Sequence, residues 1–264
     1  MATDVISGLP KLPFLDQAGQ RSAAKAHFAP QDPLAAYFPA NKIAAALYKN
    51  CAVDIGGGTL YDANAWTVTT TGTSAAAAAA TSAGGGVLLT CGSTSTFYSG
   101  LQSKQLITPA SGNVICDCAR VQISHATQAG FWFGFGNVQA DPTTTDYTDF
   151  IGFYKAPGAA TMVSKVRGNG GTSAASSSSL LTLVAATEYR IGYVAYIHAT
   201  SPSGYFWVET GGTITATAMT SSQLTQLAAI LTTPPSMAFT RFAVGTTGQT
   251  PTCTFTSAIG AIDS

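Results

Sequence analysis

The 264-residue chain contains two glutamates, Glu188 and Glu209. They stand at the start and end of two apolar runs joined through Ser201-Pro202-Ser203-Gly204, the pattern of a hairpin whose second strand returns beside its first. Glycoside hydrolysis needs two carboxyl groups roughly 5–9.5 Å apart, and the ends of a tight antiparallel pair can approach that closely. A second acidic group, Asp141, Asp146 and Asp149, lies in "ADPTTTDYTD". Such a loop can offer several of the six to eight oxygens that calcium takes. Its spacing matches no EF-hand, and Asx and Thr turn chemistry accounts for the same residues without a metal.

Other chemistries find less support. The three histidines, His27, His125 and His198, do not cluster in sequence, and the last two fall at strand ends. No Gly-x-Ser-x-Gly elbow, phosphate-binding P-loop or His-Glu-x-x-His motif occurs. Five cysteines at 51, 91, 116, 118 and 253 have neither the even count nor the regular spacing of a disulfide framework. Cys116 and Cys118, two apart in a strand pattern, share a face and read as small buried hydrophobes. No bound metal and no cofactor are expected.

Phe131 to Asn137 reads Phe-Trp-Phe-Gly-Phe-Gly-Asn. In a strand, Phe131, Phe133 and Phe135 point to one side, and Trp132, Gly134 and Gly136 to the other. Three stacked Phe make a core face. Glycines on the opposite face admit a close neighbour, either packed chain or a ligand recognised around Trp132.

These residues must be held by a β framework. Alternating or apolar runs predict strands at 64–71, 86–91, 113–124, 130–138, 147–155, 161–167, 180–184, 188–199, 204–210, 213–218, 237–244 and 251–260, separated by Gly/Ser/Asn loops. Many short strands of this kind make a sandwich or jelly roll. One helix interrupts them: Thr220-Ser-Ser-Gln223 is a capping box, Leu224, Leu227, Ala228 and Leu231 form a stripe, and Pro234-Pro235 stops it. Residues 1–55 differ. Prolines at 10, 13, 30, 33 and 39 forbid a long helix or a central strand there. A short helix is expected at 40–49, where Ile43 and Leu47 are four apart. The predicted organisation is therefore an irregular, partly helical N-terminal arm (1–55) followed by an all-β jelly-roll or β-sandwich domain (56–264).

Charged residues are 9% of the chain, and 12 basic residues balance 12 acidic ones. Typical soluble proteins carry about 25%. Without a Lys/Arg cluster to displace counterions, nucleic acid is not an expected partner. No apolar run approaches a membrane span, and the first residues lack the apolar core of a signal peptide. A weakly charged surface without net charge resists association poorly and suits a protein covered by neighbours.

The segment "EYRIGYVAYIHATSPSGYFWVETGG" (188–212) resembles a hairpin of concanavalin A-like, or laminin-G-like, jelly rolls, and "GFWFGFGN" and "CTFTSAIGAI" fit the same fold. The match covers roughly residues 60–264 by pattern. The acidic residues that alternate on one strand in jelly-roll glycosidases are missing, and no motif matches the metal and sugar residues of legume lectins. The whole chain, a Pro-rich arm before a Ser/Thr/Ala/Gly-rich β body, resembles virion structural proteins of tailed bacteriophages. That likeness implies a non-enzymatic capsid decoration (cement) protein, often a homotrimer, assembled in the host cytoplasm. It would clamp the major capsid protein through arm anchors at Phe14, Phe28, Tyr37 and Phe38. The alternative implied by the same fold is a carbohydrate- or receptor-binding module of a tail fibre or a lectin. It would present Trp132 and Trp207, with loop Asp residues, to a glycan.

Overall fold

The computed structural model describes residues 43–48, 66–79, 87–93, 98–104, 106–138, 147–169, 175–176, 179–246 and 250–263, with backbone only at 43–48, 79, 176 and 256–263. Its strands, in chain order, are β1 (Ile43–Tyr48), β2 (Trp66–Thr71), β3 (Ala76–Ala79), β4 (Val87–Thr90), β5 (Tyr98–Ser103), β6 (Val114–Ile123), β7 (Ala129–Asn137) and β8 (Phe150–Lys155). There follow β9 (Thr161–Arg167), β10 (Ala175–Ser176), β11 (Leu181–Thr182), β12 (Glu188–Tyr196), β13 (Ser203–Thr210), β14 (Thr213–Ala218), α1 (Ser221–Ala229), β15 (Met237–Gly245) and β16 (Thr252–Asp263). The predicted all-β sandwich is what forms.

Two antiparallel sheets carry these strands. The first runs β14-β13-β12-β6-β16-β4-β3, with β1 also on β16; the second runs β10-β9-β8-β7-β15-β5-β2, with β11 also on β9. Consecutive hairpins account for β3–β4, β12–β13–β14 and β7–β8–β9–β10; the remaining ladders join strands distant in sequence, and the chain crosses repeatedly from one sheet to the other. Alternation decides which side chains face inward. Phe131, Phe133 and Phe135 of the second sheet meet Phe206, Tyr193, Ile191 and Phe255 of the first in one continuous core. The Phe133 and Phe255 rings stack with their centroids 6.1 Å apart, a separation usual for aromatic pairs.

Glycines opposite aromatics recur in the ladders. Trp207 lies across Gly192, and Phe242 across Gly100, each aromatic directly paired with the glycine it covers. A methyl group added at Gly192 would come within 2.4 Å of the Trp207 ring, and one at Gly100 within 2.1 Å of Phe242. Glycine at these sites is the floor on which a ring lies flat.

Residues 43–48 differ from the sequence-based expectation. They form a strand, with Ala46 opposite Ala261 and Tyr48 opposite Ile259, in place of a helix over 40–49. Ile43 and Leu47 fit a helical spacing, but Ile43, Ala45 and Leu47 fit alternation equally, and six residues are too few for periodicity to separate the two. Free strand-bonding groups on β16, beyond where β4 ends, decide the outcome: β4 pairs with Thr252–Phe255, and β1 with Ile259–Asp263. The expected arm thus contributes a strand to the body's own sheet.

Candidate functional site

Trp132 and Trp207, expected at a ligand surface, are instead 3% and 1% exposed. Trp132 does lie on the outer face of the second sheet, as alternation requires, but that face carries a second apolar cluster with Tyr98, Tyr147, Phe150, Phe242 and Val244. Its ring lies 4.1 Å from Tyr154, 5.0 Å from Tyr147 and 5.1 Å from Phe150, centroid to centroid. The Lys165 ammonium stands 4.6 Å from the same ring. Aromatic and cation–π partners therefore occupy the indole faces a sugar would need. Trp207 is spent on Gly192, as described above.

The acidic candidates are also engaged. Asp149 Oδ1 accepts the Asn169 amide at 2.6 Å, and the Asp149 amide donates to Asn137 Oδ1 at 3.0 Å, bracing the approach to β8. Asp141 and Asp146 lie outside the described residues, as do Phe14, Phe28, Tyr37, Phe38 and His27. Among the described residues no group of three or more His, Cys, Asp or Glu is arranged to hold a metal. The register puts Glu209 opposite Arg190, and Glu188 two residues further along the same face of β12. Arg190 Nη1 donates to Glu209 Oε2 at 2.7 Å, and Arg120 Nη1 to Glu188 Oε1 at 3.4 Å. Glu209 is thus held by Arg190 and Glu188 by Arg120.

An open groove does form elsewhere, between the turn after β12 and the helix α1. Its volume is about 490 Å³; Ala199, Thr200, Ser201 and Pro202 make one wall, and Ser221, Leu224, Thr225 and Ala228 the other. The turn is held by His198, whose Nδ1 accepts from the amides of Thr200 at 3.3 Å and Ser201 at 3.2 Å. An acceptor role at Nδ1 places the ring proton on Nε2. The His198 ring also stacks on half-exposed Tyr196, 5.5 Å between centroids and 18° between planes.

The opposite wall is fixed by the helix start. Gln223 N donates to Thr220 Oγ1 at 3.2 Å, and Thr220 N to Gln223 Oε1 at 3.0 Å, a complete capping box. The same glutamine reaches into the second sheet, Nε2 donating to Ser164 Oγ at 2.9 Å. Leu227 and Ile230 are fully buried in the main core. Gly168 lets the helix approach β9: a Cβ there would stand 2.2 Å from the Gln226 carbonyl oxygen.

The groove is lined by four hydroxyl-bearing side chains and by apolar Ala, Pro and Leu surface, with no charged residue among its walls. The sequence contains both walls, as a predicted turn and a predicted capping box. It carries no signal that the two face each other, because 20 residues and a whole hairpin separate Ser201 from Ser221.

No known family profile matches the sequence, and no curated protein does either. Likeness appears at the level of fold. A crystallised protein of unknown function from Shewanella oneidensis MR-1 is 11% identical, covers 83% of this chain and 85% of its own, and superposes with a TM-score of 0.54. Arcelin-5, a lectin-like defence protein from Phaseolus vulgaris, is 7% identical, covers 77% of this chain and 94% of its own, and gives 0.50. Peanut lectin, solved with a nine-residue peptide, is 10% identical over 78% of this chain and 94% of its own, at 0.49. The fold of the chain is thus an all-β jelly-roll sandwich of the concanavalin A-like kind.

Proposed function

We propose that this protein is a non-enzymatic binding module for a neutral glycan, held in the groove between the β12–β13 turn and α1. The observation that carries the reading is the groove's chemistry. Thr200, Ser201, Ser221 and Thr225 bring hydroxyl oxygens that accept, with the protons of Thr200 and Ser201 directed to His198 Nδ1 and that of Thr225 to the Ser221 carbonyl, while Pro202, Leu224 and Ala228 offer apolar surface to a sugar's C–H face. A neutral ligand enters an uncharged site without the cost of stripping water from a charge. The lectin-like fold agrees with this reading.

The test is a glycan-array screen of the full chain, followed by titration of any hit against Ala228→Trp, which fills the groove from the helix side. Affinity should weaken by roughly tenfold or more, a change of about 1.4 kcal/mol, with the melting temperature unchanged. A clean negative screen, or a hit that Ala228→Trp binds as well as the wild type, overturns the proposal. The virion reading, a decoration protein clamping coat subunits through Phe14, Phe28, Tyr37 and Phe38, rests on composition and on residues outside the described set. It expects the full chain to co-sediment with undecorated shells and to bind no glycan.

A further inference from the structure

Strand β14 is the outermost strand of the first sheet and pairs only with β13 among the described residues. It reads Thr-Ile-Thr-Ala-Thr-Ala, and every residue except half-buried Ile214 is exposed, on both faces of the sheet. Natural edge strands are usually guarded by Lys, Pro, a bulge or an inward charge. This one has no charge, no proline and no shift in its register with β13. Its Thr and Ile content favours the extended conformation.

The phase of the hairpin fixes which backbone groups are free. Thr210 and Thr213 flank a two-residue turn of Gly211 (φ +57°) and Gly212 (φ +79°), so they form a hydrogen-bonded pair. Bonded and non-bonded pairs then alternate along the ladder. Thr213, Thr215 and Thr217 turn their amides and carbonyls toward β13; Ile214, Ala216 and Ala218 turn theirs outward. The amide of Met219, which donates to the Gly204 carbonyl at 2.9 Å, continues the same phase.

We infer that β14 is a self-association edge, pairing antiparallel with β14 of a second copy about a two-fold axis at Ala216. On that axis Ala216 faces Ala216 of the other copy, and Ile214 faces Ala218, so the larger side chain meets the smaller. All outward amides and carbonyls of the three residues are then bonded. Thr215 falls opposite Thr217, a favourable cross-strand pair. The edge is complementary to itself, which a two-fold interface requires. The chain's formal net charge of zero leaves no long-range repulsion between copies. Antiparallel edge pairing closes on two chains, not on the three that the virion resemblance implies, so mass alone separates them. This surface is distinct from the groove, and the inference does not depend on glycan binding.

The test is sedimentation equilibrium of the full chain over a wide concentration range. The wild type should rise from the monomer mass toward twice that value. Ala216→Lys, which sets two ammonium groups face to face on the axis, should remain monomeric with an unchanged melting temperature. Ala216→Cys should give a disulfide-linked dimer under mild oxidation, since hydrogen-bonded antiparallel pairs hold their Cα atoms about 5.5 Å apart. A wild type that stays monomeric or forms a trimer overturns the inference, as does a dimer that Ala216→Lys leaves intact or in which Ala216→Cys does not cross-link.

Discussion

Arg190 binds a carboxylate on the neighbouring strand and Arg241 one on the facing sheet, and the two pairs are opposite in almost every other respect. Arg190 and Glu209 pair on the outer face of one sheet with side chains 13% and 21% exposed. Arg241 and Asp117 pair between the sheets at 2.5 Å, with side chains 1% and 0% exposed. Water screens the first pair and supplies whatever bonds the protein does not. The second must find every bond within the core. Arg241 Nη1 donates to the Thr240 carbonyl at 2.8 Å, and the guanidinium lies 4.1 Å from the Phe133 ring. Asp117 Oδ2, Arg241 Nε and the facing Tyr193 hydroxyl have no hydrogen-bond partner among the described residues. Identical functional groups are nearly neutral decoration in one place and a high-stakes junction in the other.

The largest test breaks the inner pair from one side. Asp117→Ala leaves a buried, uncompensated guanidinium and should lower unfolding free energy by about 3–5 kcal/mol, read as a lower urea midpoint. Replacing both partners, Asp117→Leu with Arg241→Met, removes the charges together and should restore most of that loss or exceed the wild type. A double variant as unstable as the single one would mean that the pair itself, not the orphaned charge, supplies the stability.

The next test uses protons. Burial raises the Asp117 carboxyl from 3.8 to about 7, against the opposing pull of Arg241 and of the Cys118 amide. Tyr193, directly opposite on β12, is pushed well above its usual range by the same burial and does not titrate near neutrality. With a folded value above the unfolded one, the native state binds the extra proton, so stability is greatest in acid. It is lost as pH rises from about 3.8 to about 7, and levels off beyond. The fall should be on the order of a few kcal/mol by chemical denaturation. Protonated Asp117 keeps a carbonyl oxygen that accepts from Arg241 Nη2, a bond that Asp117→Ala removes, so the acid form retains a contact the variant lacks. Asp117→Asn should flatten this slope; a slope that survives the change belongs to other groups.

Nothing in the sequence marks Asp117 and Arg241 as partners. They are 124 residues apart, each a single charge inside an apolar run, and only the facing of β6 against β15 brings them together. Alternation, in contrast, states correctly that Phe131, Phe133 and Phe135 share the core face, and the Thr220–Gln223 spacing gives the capping box outright. Alternation names a face and says nothing of what covers it. Trp132 is accordingly on the predicted side and yet buried, because Tyr147, Phe150 and Tyr154 fold over it. Strands with weak propensity were the other gap. β5, Tyr-Ser-Gly-Leu-Gln-Ser, is wholly buried between β15 and β2 and owes its conformation to those neighbours, as does the four-alanine β3 on β4.

The smallest effects belong to the outer pairs, and they sharpen the comparison by being small. Glu209→Gln loosens a partly exposed contact and should cost no more than about 1 kcal/mol, less in high salt. Glu188→Gln disrupts a pair whose side chains are 38% and 51% exposed, so its cost should be near zero. Neither change should alter glycan retention, because both glutamates lie outside the groove walls. A loss above about 2 kcal/mol in either variant would show that the outer pairs bear load like the inner one. Loss of hydrolytic turnover in both, on any glycan the array identifies, would instead restore the paired-carboxylate chemistry that their sequence positions first suggested.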